Sequence, residues 1–178
     1  MEKLQLTEVR GFIVADIERE IQLAKLSDAQ GKELEKLGVN RGGGNFLAAL
    51  GLLCYTEFAG KLKYNCKRNG DDFASENFNK FFDEIGTEYK NFRISGVNVY
   101  GIFRCGMAHE YLTKKNCVIC MNGNCLECPT SNCPIPQEER KNISIGIGKY
   151  DNDKYYFRVE QYYHDFINAF NAYLATLP

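Results

Sequence analysis

Leu6, Val9, Ile13, Ile17 and Ile21 recur three and four positions apart, with Arg10, Glu18, Arg19 and Glu20 between them. A period near that of the α-helix gathers these apolar residues on one face, so the pattern predicts an amphipathic helix ending near Leu26. Ser27 to Gly44 is polar and closes on Gly42-Gly43-Gly44, where backbone freedom makes a helix costly, and a connector is expected there. Asn45 stands at a capping position before Phe46 to Tyr55, a run apolar on all sides that reads as a central helix covered by its neighbours. Ser75 is placed to cap a third helix whose stripe is Phe78, Phe81, Phe82, Ile85 and Tyr89. A fourth helix is expected from about Asn98 to Leu112, carrying Tyr100, Ile102, Phe103, Met107, Ala108 and Tyr111. Gly101 and Gly106 each lower its intrinsic propensity by about 1 kcal/mol relative to alanine.

Further along, the period changes to two. Ile143, Ile145 and Ile147 alternate with Ser144, Gly146 and Gly148, Asp151-Asn152-Asp153 supplies turn chemistry, and Tyr155-Tyr156-Phe157 follows. That is the pattern of a β-hairpin. Val159, Tyr163, Phe166, Phe170, Tyr173 and Leu177 return to helical spacing. The expected fold is therefore mainly α: a helical bundle of four to five helices in a single domain, 1–178. A Cys-rich insertion, 113–137, and a small β-hairpin, 142–159, lie within it.

Composition narrows the class. With 178 residues, 44% apolar and 25% charged, the chain is long and apolar enough to bury a core without disulfides, which excludes a disordered or collagen-like protein. The 22 basic and 23 acidic residues leave a formal net charge of −1, which argues against sequence-blind wrapping of nucleic acid while leaving a locally steered encounter open. The first eight residues mix charged and apolar side chains and lack the unbroken apolar stretch of a secretion signal. Phe46 to Tyr55 is too short to span a bilayer. A cytoplasmic protein with no membrane partner is expected.

Only His109 and His164 can carry a proton near neutral pH as histidines. Arg104 precedes His109 by five positions, which on a regular helix sets the two roughly 140° apart and about 7.5 Å along the axis. A site assembled from two copies of the chain eases that geometry. The pair suits phosphodiester cleavage: a fixed guanidinium holds a phosphate through two hydrogen bonds while an imidazole moves a proton. In RNA the 2′-hydroxyl is itself the nucleophile, so no metal is required. The bland alternative pairs Arg104 with a carboxylate and leaves His109 at a helix end.

The segment Arg104-Cys105-Gly106-Met107-Ala108-His109, late in a mostly helical chain with a long apolar helix before it, resembles the Arg-x4-6-His signature of HEPN domains. The resemblance implies a helical bundle and a homodimer with paired motifs at its interface. It also implies either metal-independent endoribonuclease activity or a non-catalytic role in binding nucleotides or proteins. Arg104 would then stabilise the phosphate and His109 act as general acid or base, with RNA as substrate and an antitoxin or other protein as a further partner. Active members usually carry Asn, Asp or His after the arginine; this chain has Cys105.

Five of the eight cysteines fall between Cys117 and Cys133. Cys117, Cys120, Cys125 and Cys128 form two Cys-x2-Cys pairs, a spacing that can present four thiolates to one tetrahedral zinc if each pair makes a tight turn. Such a shell has no open position, so the expected zinc is structural and catalysis needs no cofactor. Reduced or disulfide-forming cysteines are the alternative, and Cys128-Pro129 and Cys133-Pro134 also admit an iron–sulfur loop. A thiol or metal sensor is a further reading of the same segment.

Weaker signals have ordinary explanations. Lys61, Lys63, Lys67 and Arg68 make the densest basic stretch, a solvated surface unless a phosphate backbone meets it. Arg41-Gly42-Gly43-Gly44 lacks the lysine of a P-loop. Tyr155, Tyr156, Tyr162 and Tyr163 are enough to stack bases, but packing accounts for them as well. Asn142-Ile143-Ser144 is a glycosylation acceptor only outside the cytosol, and His164 reads as a surface residue.

Overall fold

The computed structural model describes residues 3–39, 44–110, 115–121, 133, 135–141 and 143–178. The first helix, α1 (Lys3–Ala24), buries Leu6, Ile13, Ile17 and Ile21, the face its spacing predicts. The expected connector contains a second helix, α2 (Asp28–Lys36). Its start is a capping box: the Ser27 side chain accepts from the backbone N–H of Gln30, whose side chain accepts from Ser27 N at 3.0 Å. These reciprocal bonds satisfy two helix-end donors and nucleate a helix that hydrophobic spacing does not show.

α3 (Gly44–Tyr64) is the central helix and runs well past the apolar segment. Asn45, expected as its cap, lies inside α3 as its second residue; its Oδ1 accepts from Phe46 N at 3.0 Å and its Nδ2 donates to Ile119 O at 2.9 Å, tying the start of α3 to a strand. A two-strand turn follows, β1 (Lys67–Arg68) against β2 (Asp71–Asp72), closed by Asn69 and Gly70 at φ of 54° and 91°. Asn-Gly supplies the left-handed backbone such a hairpin requires. α4 (Ala74–Ile85) buries Phe78, Phe81 and Phe82. The stripe predicted to end at Tyr89 is broken at Gly86, and Tyr89 belongs to a separate α5 (Thr87–Ile94). Ser75 lies inside α4 and Phe73 stands at its start with no side-chain cap.

Where a regular helix was expected from Asn98, a π-helical turn over Tyr100–Cys105 passes into the short α6 (Gly106–Glu110). The expected Leu112 end lies outside the described residues. β3 (Asn116–Cys120), α7 (Gln137–Arg140), β4 (Ile147–Asp151), β5 (Lys154–Arg158) and α8 (Val159–Ala175) complete the chain. The predicted hairpin is β4–β5, antiparallel, with β3 added parallel to β5 in the order β3-β5-β4. The chain is thus mainly helical with two small sheets.

The core lies between α3 and the helices around it, α1, α4 and α8. Phe81 meets Phe166 and Phe170, and Phe82 meets Tyr89 and Tyr162, with ring centroids 5.4 to 6.4 Å apart. Burying each such ring contributes about 1.5–3 kcal/mol. α3 and α4 approach so closely that a Cβ on Gly60 would collide with the carbonyl of Asn77, which fixes glycine there by packing. The three-stranded sheet has two covered faces. Cys117 and Ile119 of β3, Tyr155 and Phe157 of β5, and Ile147 of β4 join the main core. Tyr156 on the reverse side packs with Ile135, Cys133, Ile143 and Tyr150 in a second, smaller cluster.

Candidate functional site

Glu57 and Phe58 lie three and four positions after Cys54, and Lys61 four and three positions after them, so α3 presents all four along a single face. With Asp72 of β2 and Asn77 of α4 they line a cavity of about 180 Å³. Lys61 closes one side through an ion pair to Asp72, and this bond holds the Asp72 carboxyl below its ordinary range. Asn77 is buried and accepts from Cys66 N at 2.7 Å, so its carbonyl serves the fold.

The π-helical turn delivers Arg104 to this face. Its Nε lies 2.7 Å from Glu57 Oε2, with both side chains about one-fifth exposed. The approach is out of line for a hydrogen bond: Arg104 Nε and Glu57 Oε2 are both shut off from solvent and neither has a hydrogen-bond partner. The guanidinium also stands 5.8 Å from the Tyr100 ring centroid. Burial pushes the Tyr100 hydroxyl up to about 12, and the Glu57 carboxylate to which it hydrogen-bonds adds to that rise. Burial works against the Arg104 cation, but Glu57, with smaller help from Cys54, Tyr100 and Cys105, outweighs it and raises the guanidinium above its usual value. Burial likewise raises the Cys54 thiol, opposed by Arg104. A single-turn π segment is a common device for re-aiming a side chain at a functional site.

His109 lies on α6, exposed, five positions beyond the arginine. No hydrogen bond or ion pair joins it to Arg104 within one copy of the chain. The two are therefore neighbours in sequence, one held against a cavity wall and the other facing solvent. Glu57, Tyr100 and Cys54 are the residues that sequence reasoning missed. For Cys54 and Glu57 the signal was the continuation of helical spacing to Lys61 beyond the end of the apolar run; Tyr100 was legible only as a helix-packing residue.

Of the cysteines predicted to hold zinc, Cys117 and Cys120 lie on β3, while Cys125 and Cys128 lie outside the described residues. The first pair forms an extended strand and not the tight turn expected of it. Residues three apart on a strand point to opposite faces. Cys117 accordingly joins the main core, where burial pushes its thiol well above the ordinary range and its Sγ–H faces Val118 O at 3.6 Å. Among the described residues no group of three or more His, Cys, Asp or Glu side chains is gathered to hold a metal ion.

A second polar cluster packs against the same core, linked to Tyr100 through the Phe78 and Phe82 rings. Tyr89 OH donates to Asp165 Oδ2 at 2.6 Å and accepts from Gly146 N at 2.8 Å, while Gln161 donates to the same carboxylate. Burial, then the carboxylate beside it, pushes Tyr89 far above its ordinary range.

The weaker sequence signals resolve as structure. Lys61 and Lys63 are paired with Asp72 and Glu84, and Arg68 stands over the Phe73 ring at 5.5 Å. Tyr155, Tyr156, Tyr162 and Tyr163 are buried. His164 is exposed, 3.9 Å from Glu160. Arg41, Gly42, Gly43 and Asn142 lie outside the described residues. Among the described residues no helix is long and apolar enough to cross a membrane. Compared with family models, with curated proteins and with solved structures, the chain has no match in any of the three.

Proposed function

We propose that the chain is a HEPN-like, metal-independent endoribonuclease: a cytoplasmic helical bundle with a Cys-rich loop and a β-hairpin, acting as a homodimer on RNA. The observation that carries this reading is the contrast between a guanidinium held in place by Glu57 and Tyr100 and an exposed imidazole five positions on, with no hydrogen bond between them. One immobilised cation and one accessible proton carrier are the two groups that 2′-hydroxyl attack requires. His109 takes the 2′-hydroxyl proton as the new O–P bond forms, Arg104 holds the phosphate oxygens, and the departing 5′-oxygen collects a proton as its bond to phosphorus breaks. The products are a cyclic phosphate and a free 5′-hydroxyl. A second copy, with its motif facing the first, supplies the other proton-transfer group. A structural zinc, held by thiolates of the cysteine segment, would take no part in the chemistry.

The test is a labelled single-stranded RNA incubated with the chain and excess chelator. Cleavage that persists with chelator and falls by about 10²–10⁴-fold in His109→Ala supports the nuclease. His109 is exposed, so this variant keeps its fold. A second reading, a non-catalytic nucleotide- or protein-binding module, is favoured by the engagement of Arg104 with Glu57 and by Cys105 beside it. Absence of cleavage across several RNAs, together with retained nucleotide binding, selects that module.

A further inference from the structure

The cavity next to Arg104 has two kinds of lining. Phe58, Ala74 and Cys54 make part of it apolar, and because burial raises the Cys54 thiol, that group stays uncharged at neutral pH. Glu57, Lys61 and Asp72 make the rest charged. At about 180 Å³ the cavity is smaller than the roughly 300–1,000 Å³ of sites for drug-sized molecules, so it has room for one planar ring system and not for a whole nucleotide.

The polar groups decide which ring system suits it. Glu57 and Lys61 lie four positions apart on α3, so an acceptor and a donor stand one helical turn, about 5.4 Å, apart on the same side. Glu57 Oε2 is turned to Arg104 and shut off from solvent while the residue still lines the cavity, which leaves Oε1 as the acceptor there. A carboxylate oxygen accepts more than one hydrogen bond, so the Tyr100 hydroxyl does not exhaust it. Lys61 has three donors and spends one on Asp72. Among the four RNA bases, guanine alone presents an acceptor, O6, followed by two adjacent donors, N1–H and N2–H, on its pairing edge. Adenine and cytosine set a ring-nitrogen lone pair beside their amino group, which a carboxylate repels. Uracil offers one donor between two acceptors.

We propose that this cavity is a base pocket: Glu57 accepts from N1–H and N2–H of an unpaired guanine, Lys61 donates to its O6, and the neighbouring phosphate meets Arg104, which abuts Glu57. The assignment rests on the endoribonuclease reading above and adds a preference to it, for RNA linkages flanking guanosine.

An end-labelled single-stranded RNA containing all four bases, incubated with the full chain and sized at nucleotide resolution, tests it. Cleavage should fall next to guanosine. Replacing that guanosine by inosine, which keeps O6 and N1–H but lacks the 2-amino group, should lower cleavage there about tenfold. Glu57→Gln should lower cleavage next to guanosine by about 10–100-fold relative to cleavage next to adenosine. The ratio matters because Glu57 also holds Arg104: an equal loss at every site would show positioning of the guanidinium alone and overturn the base pocket. The inosine arm uses the unaltered chain, so it decides the matter even where the variant fails to fold. Cleavage without base preference, or equal at inosine and guanosine, overturns the pocket and leaves the nuclease standing. No cleavage of any RNA overturns the nuclease reading, and calorimetry then judges the pocket by itself: guanosine monophosphate bound at least about tenfold more tightly than adenosine monophosphate supports it, and equal or absent binding overturns it.

Discussion

Two polar clusters pack against the same core and are finished to different degrees. Around Tyr89 the hydroxyl both donates and accepts, Asp165 is bonded by Tyr89 and Gln161, and the Gly146 N–H is satisfied. Around Arg104 the ion pair is close but out of line, and an N–H and a carboxylate oxygen are left without hydrogen bonds. A completed network stabilises and specifies the fold, whereas a buried pair with unmade hydrogen bonds contributes less to it. The first cluster joins α5 to the hairpin and α8. The second sets a guanidinium of the π-helical turn against a carboxylate of α3.

Substitutions can break this contrast. The largest expected effect is Arg104→Lys, which keeps the charge but loses the planar fork that the proposed nuclease would use to grip a phosphate. RNA cleavage should fall by about 10²–10³-fold, with Tm within roughly 2 °C of the parent. Tyr89→Phe should do the reverse. Removing the hydroxyl leaves Gly146 N–H and part of the Asp165 carboxylate unsatisfied at a cost of about 1–3 kcal/mol. At roughly 2–4 °C per kcal/mol for a chain of this size, Tm drops by several degrees while cleavage by the folded protein is retained. If Arg104→Lys proves the more destabilising of the two, the division between a structural and a functional cluster is wrong.

The smallest effect sharpens the comparison through pH. Tyr100 is raised in the folded protein, so the fold favours its neutral form. Its contribution to stability is complete below the unfolded tyrosine value near 10 and is lost as pH rises through the folded value. Following the tyrosinate absorbance, Tyr100→Phe should remove a component titrating at about 12 and flatten the alkaline loss of stability in that window. An unchanged alkaline titration would mean that Tyr100 does not share the Glu57 carboxylate.

Much of the helical fold was legible because a buried stripe is a local pattern: α1 and α8 follow their apolar spacing closely. The failures have physical causes. α2 is made by a capping box, Ser27 with Gln30, whose signal is polar and sits where a connector was expected. Helical spacing continued from Phe82 to Tyr89 although the chain breaks at Gly86, since two short helices can share one apolar side. β3 was invisible because its pairing with β5 is long-range and its cysteines carried a stronger local reading. At the site, Arg104 and His109 were legible as a motif. Glu57 was not, because an acidic residue on a buried helix acquires meaning only when its partner is placed beside it.

The parallel pairing of β3 with β5 sets an order of assembly. Asn116 must find Lys154, about forty positions later, and Met121 O must accept from Glu160 N at the start of α8. Contacts so distant along the chain form slowly, because the intervening segment has to be closed before they reward it. The helices and the β4–β5 hairpin can therefore gather first, leaving β3 as the last strand to dock. Until it does, one edge of β5 stays open to pairing with another molecule during biosynthesis.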